Sequence, residues 1–136
     1  MKKVNRFLVM ILAFVCPFAC AGYSDAEKST PTPISYEQIS QEEAKALMDS
    51  ESGYVIIDAR TQSEYDEGHI PGAILIPEYE IASRAENELP DKDQLILVYC
   101  RSGRRSKIAA EELVKLGYTN VKEFGGIIDW QYEIVK

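Results

Sequence analysis

Cysteine is scarce in this chain, histidine scarcer, and no apolar run reaches the roughly 20 residues that a membrane-spanning helix needs. The cysteines are Cys16, Cys20 and Cys100, and His69 is the single histidine. So few soft ligands exclude a structural zinc site, and no metal or other cofactor is expected. Cys16 and Cys20 lie in an apolar leader, which leaves Cys100 without a disulfide partner in the folded body. Basic residues are also in deficit: Lys plus Arg is 15 against 22 for Asp plus Glu, a formal charge of −7. Three of the 15 (Lys2, Lys3, Arg6) precede the first acidic residue, Asp25; without them 12 face 22, a formal −10. An acidic body excludes a nucleic-acid surface and favours solubility. No internal repeat or low-complexity segment is evident.

What is present begins with a secretion pattern. Met1 to Arg6 is basic, Phe7 to Val15 is uninterruptedly apolar, and Ala19-Cys20-Ala21 offers a small-x-small cleavage site. Residues 1–21 are therefore expected to be a signal peptide. Two readings of Cys20 stand: removal with the leader, or lipidation, since bacterial lipoprotein signals resemble this arrangement. An uncleaved leader fits the short apolar run less well. The expected location is outside the cytoplasm (periplasm, cell surface or medium), with membrane contact only through the leader or a lipid on Cys20. Residues 22–33, ending in Thr-Pro-Thr-Pro, have little apolar surface to bury and read as a flexible tether.

The folded domain is expected over 34–136. Ile34 to Ile39 predicts a short edge strand, and Ser40 with Glu43 a capping box opening a helix that ends before Gly53. Tyr54 to Asp58 predicts a buried strand ending in a carboxylate. Thr61 with Glu64 repeats the capping box ahead of a short helical turn. Gly68-His69-Ile70-Pro71-Gly72 is turn chemistry, in which His69 reads as a packing residue, and Ala73 to Ile76 follows as a strand. Pro77 to Leu89 predicts a helix. Val121 to Phe124 should be the last strand, Gly125-Gly126 a turn, and Ile127 to Ile134 a closing helix whose Trp130 enters the core. Strands alternating with helices give an α/β fold: a small, mostly parallel sheet flanked by helices on both faces.

The chain turns on Leu95 to Ser106. Leu95-Ile96-Leu97-Val98-Tyr99 suits a strand covered on both faces; Ala109, Leu113 and Leu116 recur at helical spacing beyond it, and Gly117 stops that helix. Cys100 is thus placed at the carboxyl end of a strand, facing a helix N-terminus, where open α/β sheets bind ligands. A free thiol ionises near pH 8.5, and helix N-termini or neighbouring Lys and Arg bring that down to roughly 3.5–7.5. Arg101, Arg104 and Arg105 stand within five positions, and the small Ser102 and Gly103 let backbone N–H groups turn toward the sulfur as an anion nest. Three crowded arginines make a passive buried thiol a poor alternative. Cysteine-dependent phosphatases carry Cys-x5-Arg, but the sixth residue after Cys100 is Ser106 and Arg105 is fifth. The cradle is one residue short for a tetrahedral oxyanion and suits a single sulfur atom.

Asp58-Ala59-Arg60, the run Glu64 to Ala73 containing GHIPGA, the loop CRSGRRS from Cys100, and Gly125-Gly126 with Trp130 occur in the order found in single-domain rhodaneses. Residues 34–136 resemble that family, a group of thiosulfate-type sulfurtransferases. The resemblance implies a rhodanese-like fold and a persulfide mechanism. Cys100 takes sulfur from a small anionic donor such as thiosulfate, and a thiol, cyanide or a protein acceptor removes it. It also implies donor binding by Arg101, Ser102, Gly103, Arg104 and Arg105, with Asp58, Arg60 and Ser106 as structural support of the loop. The classical two-domain enzymes usually have a small hydroxyl residue where Arg105 stands, so donor preference stays open. The alternatives are a sulfur-carrier or binding module without turnover and, more distantly, a cysteine phosphatase or arsenate reductase.

Overall fold

The computed structural model describes residues 35–136, so the expected leader, the tether and Ile34 lie outside the described residues. Five strands form one sheet: β1 (Glu37–Gln38), β2 (Val55–Asp58), β3 (Ala73–Leu75), β4 (Ile96–Cys100) and β5 (Val121–Gly126). Their order is β1-β5-β4-β2-β3, and every pairing is parallel. The helices are α1 (Gln41–Ser50), α2 (Gln62–Glu67), α3 (Ile81–Glu88) and α4 (Arg104–Lys115).

Both predicted capping boxes form, and each fixes where its helix starts. Ser40 accepts from the Glu43 N–H at 3.1 Å while the Glu43 carboxylate accepts from the Ser40 N–H at 2.8 Å. Thr61 and Glu64 repeat the exchange at the head of α2. Each box satisfies two backbone donors that a helix start would otherwise leave orphaned.

Alternation along the central strands sorts side chains onto two cores. Ile57, Ile96, Val98 and Cys100 pack with Ile81 and Ala85 of α3 and with Ala109, Ala110 and Leu113 of α4. Ile56, Leu97 and Tyr99 pack on the other face with Ala44 of α1, Phe124 and Trp130. The predicted two-faced sheet and the buried Trp130 are therefore as observed. β2 runs on through α2 to β3, whereas β4 runs on through α4 to β5 on its other side. That reversal is a topological switch point, and it opens a crevice beyond the carboxyl ends of β2 and β4.

Three expectations change at the ends of elements. The segment predicted as one helix from Pro77 begins as a 3-10 turn, Glu78–Glu80, and becomes α-helical at Ile81. Gly125 and Gly126 are not a turn; they complete β5. The register slips there from Val98↔Glu123 to Cys100↔Gly126, and Gly125 takes up the extra residue at φ +92°. Nor does a closing helix form: Ile127–Asp129 is a single 3-10 turn, after which the chain is irregular, with a bend at Tyr132 and an isolated bridge at Val135. Its later polar groups have other partners. The Trp130 indole donates to the Glu133 carbonyl, and Val135 exchanges backbone hydrogen bonds with His69.

The core assignment is checkable by truncation. Leu113→Ala is expected to cost about 2–5 kcal/mol, because a fully buried side chain leaves a cavity between α4 and the sheet. Ile128→Ala, at a position 62% exposed, should stay within about 0.5 kcal/mol of the parent. Urea unfolding of both variants measures the contrast; equal losses would refute this assignment of the core.

Candidate active site

Cys100 ends β4 and is 1% exposed. Its Sγ accepts a hydrogen bond from the Gly103 N–H at 3.0 Å, and its thiol donates to Ser106 Oγ at 3.4 Å. Gly103 is the N-cap of α4, with φ 99° and ψ −11°, a conformation glycine adopts without the Cβ clash. The sulfur therefore lies in a half-turn of backbone at the positive end of a twelve-residue helix. This is the placement the sequence predicts.

The floor of the loop is backbone. A Cβ on Gly126 would lie 2.1 Å from the Arg101 carbonyl oxygen and 2.5 Å from Ser102 Cα, so only glycine lets β5 pass this closely. The Arg101 carbonyl also accepts from the Ile128 N–H at 3.2 Å. The 3-10 turn after β5 thus ties down the start of the loop.

The three arginines separate into two kinds. Arg101 and Arg104 are exposed and form no ion pair among the described residues. Arg105 is largely covered and makes a bidentate pair with Glu64, at 2.8 Å to each carboxylate oxygen. Those bonds, first, and then the charges of Glu64 and Glu78 raise the guanidinium pKa against the opposing effect of burial. Glu64 in turn is held down at about 2, chiefly by Arg105 and further by the Thr61 N–H and hydroxyl. The capping residue of α2 therefore also anchors the last arginine of the loop.

Asp58 and Arg60 do pair, but they brace the crevice rather than touch the loop. The wholly buried Asp58 carboxylate accepts from the Arg60 backbone N–H, Nε and Nη2 and, at 2.6 Å, from the Tyr99 hydroxyl. Arg60 Nη2 also donates to the Gly68 carbonyl at 2.7 Å, and the Tyr99 oxygen accepts from the Ile70 N–H at 3.1 Å. Burial, with Asp58 adding to it, drives the Tyr99 phenol well above its ordinary value and keeps it a donor. Their link to the loop runs through Tyr99, the residue before Cys100. His69 stacks on Tyr65 with ring centroids 3.7 Å apart, in the packing role expected of it. Within the loop Ser102 is exposed, whereas Ser106, in the first turn of α4, is buried.

Glu123 belongs to the site and escapes the sequence reading. It is 2% exposed, and its Oε1 accepts from Ser106 Oγ at 2.6 Å and from the Gly125 N–H at 2.8 Å. One signal could have found it: on a strand, Val121 and Glu123 share a face, which places a carboxylate toward α4.

Known proteins share this fold and part of its sequence. The rhodanese-like domain family model matches residues 40–133. The putative sulfur carrier protein YrkF of Bacillus subtilis is 39% identical over 105 residues, covering 76% of this chain and 56% of its own length. The chain thus spans little more than half of that relative. The thiosulfate sulfurtransferase PspE of Escherichia coli is 42% identical over 73 residues, covering 54% of this chain and 70% of its own. Among solved structures, a rhodanese with anions from E. coli superposes with a TM-score of 0.59 at 39% identity, covering 62% of this chain and 99% of that one.

The Glu64–Arg105 pair has a signed pH consequence. A carboxylate held down at about 2 contributes stability above its ordinary value of 4.5 and loses it as the pH falls toward 2. Glu64→Gln should therefore cost on the order of 2–3 kcal/mol at pH 7, with the gap to the parent closing between pH 4.5 and 2. Urea unfolding across that range tests it, and a gap that stays constant would refute the assignment.

Proposed function

This chain belongs to the rhodanese-like domain family, and from that premise we propose that it is a sulfurtransferase working through a persulfide on Cys100. The observation that carries the reading is the sulfur itself, at the N-terminus of α4, accepting the Gly103 N–H within a loop too short for the Cys-x5-Arg phosphate cradle. The Cys100 thiolate attacks the outer sulfur of thiosulfate; the new S–S bond forms as the old one breaks, and sulfite leaves with the bonding pair. A thiol or cyanide, as its anion, then attacks the outer sulfur of the persulfide. Cys100 returns as the thiolate, and the acceptor leaves as a persulfide or thiocyanate. The chemistry draws on fixed donors rather than a general base: a backbone N–H and a helix terminus favour negative charge on sulfur in both steps.

Arg101 and Arg104, exposed at the rim, draw in the anionic donor, while Arg105, tied to Glu64, supplies a fixed positive field beside the sulfur. Ser102 lines the approach. Because Cys100 is 1% exposed, only a slender end of donor or acceptor reaches it, which suits thiosulfate, a low-molecular-weight thiol or an extended protein terminus. The basic start and the apolar run Phe7 to Val15 support export, with Cys20 either removed or lipid-bearing.

A second reading has its own support: the relative from B. subtilis is named a putative sulfur carrier, so Cys100 can hold sulfur for a partner without turning over thiosulfate. Intact-mass measurement after incubation with thiosulfate separates the readings. Sulfurtransfer predicts a gain of one sulfur atom, absent in Cys100→Ala and discharged by cyanide as thiocyanate. A persulfide acquired only from a protein donor supports the carrier. No sulfur gained from any donor refutes both, and turnover of arsenate or a phosphate ester would favour a reductase or phosphatase.

A further inference from the structure

Sulfur transfer as described makes no use of Glu123, a buried carboxylate two hydrogen bonds from the reactive sulfur. Ser106 Oγ lies between them, 2.6 Å from Glu123 Oε1 and 3.4 Å from Cys100 Sγ, with the backbone carbonyls of Gly103 at 3.1 Å and Gly125 at 3.5 Å also within its reach. A hydroxyl has one proton to give and lone pairs to accept with. The contact to the carboxylate is the shortest of the four, which assigns the proton to Glu123, and Ser106 accepts from the Cys100 thiol. The serine is thereby committed as an acceptor toward sulfur. When Cys100 ionises, its proton passes to solvent and Ser106 faces two anionic acceptors with one proton to donate. Either the thiolate goes without that donor or the carboxylate does.

We propose that Glu123 is a positioning residue that restrains ionisation of Cys100, through its claim on the Ser106 hydroxyl and its own negative charge. Like charges sharing one donor in a buried site disfavour each other's ionised forms. The other charged groups around the pair leave this restraint in place. On the Cys100 side stands Arg105, already paired with Glu64 and neighboured by Glu78. Beside Glu123, a recess of about 340 Å³ is lined by Lys107 of α4, Asp129 after β5 and Gln41 of α1. Gln41 is engaged with the Gly126 carbonyl, and Lys107 is exposed. None of the three hydrogen-bonds to Glu123 among the described residues. The helix end and Arg105 thus pull the thiol toward the thiolate, and Glu123 pulls it back.

The restraint is a property of the thiol and holds whichever sulfur donor the protein uses, so its test needs no sulfur chemistry. Iodoacetamide alkylates the thiolate: the S–C bond forms, the C–I bond breaks and iodide leaves. Its rate on Cys100, followed by intact mass against pH, reports ionisation directly. Glu123→Gln keeps the shape and an acceptor for the Gly125 N–H while removing the charge. It should lower the alkylation midpoint by about one pH unit, close to a tenfold gain in rate below the midpoint. In a Ser106→Ala background, where the shared donor is gone, the same substitution should shift the midpoint by less than half as much. Far-UV circular dichroism checks that each variant is folded. Should Glu123→Gln unfold the protein, Glu123→Asn decides in its place: it too removes the charge, so its midpoint must fall below the parent's. A midpoint unchanged or raised in the folded variant that lacks the charge, or an equal shift in both backgrounds, overturns the proposal.

Discussion

A carboxylate taken wholly out of water is costly unless every lone pair finds a donor, and Asp58 meets that condition with donors from two different elements. Arg60 gives it backbone and guanidinium N–H groups from the chain just beyond β2, and Tyr99 gives a phenolic O–H from β4. Arg60 and Tyr99 then each use remaining capacity on the turn after α2, at Gly68 and Ile70. Three pieces of chain that approach the crevice separately are therefore fixed by one buried charge. The cysteine loop begins one residue beyond Tyr99, so the direction in which Cys100 leaves the sheet is set by this cluster.

The far side of the loop is built on a different principle. There the constraint is steric, since β5 passes under Arg101 and Ser102 at a distance that forbids a Cβ on Gly126. Between the ionic brace and the backbone floor, the half-turn around the sulfur has little freedom to open. A donor group fixed in this way costs little reorganisation when charge builds on sulfur, which is how a modest N–H contact becomes useful to a reaction.

Much of the domain was readable in advance because its signals are local. Two capping boxes, a run of five apolar residues and a cysteine followed by glycine, arginine and serine each state their geometry within a few positions. What the sequence withheld is long-range. Glu64 reads as a helix cap, and nothing near it announces a bidentate bond to Arg105 forty-one residues on. Tyr99 reads as one more apolar strand residue, although its hydroxyl completes the Asp58 cluster. The double glycine reads as a turn because glycine usually marks one, whereas here the demand comes from a neighbouring backbone. The closing segment fails as a helix for a similar reason. Of its large apolar residues Trp130 enters the core while Ile128, Tyr132 and Ile134 stay exposed, and an isolated bridge of Val135 to His69 holds the end of the chain away from a helical path.

The sheet's outermost strands carry a further consequence. β1 is two residues long and β3 three, while the strands between them run to four, five and six. An exposed strand edge is a template on which another molecule's backbone can zip, and shortness is one of the ways proteins blunt it. Here the three longest strands are flanked on either side by stubs too brief to nucleate such a ladder. One stub bears Glu37 in an ion pair with Lys122 across the pairing. Among the described residues, edges this short limit edge-to-edge pairing by their length alone.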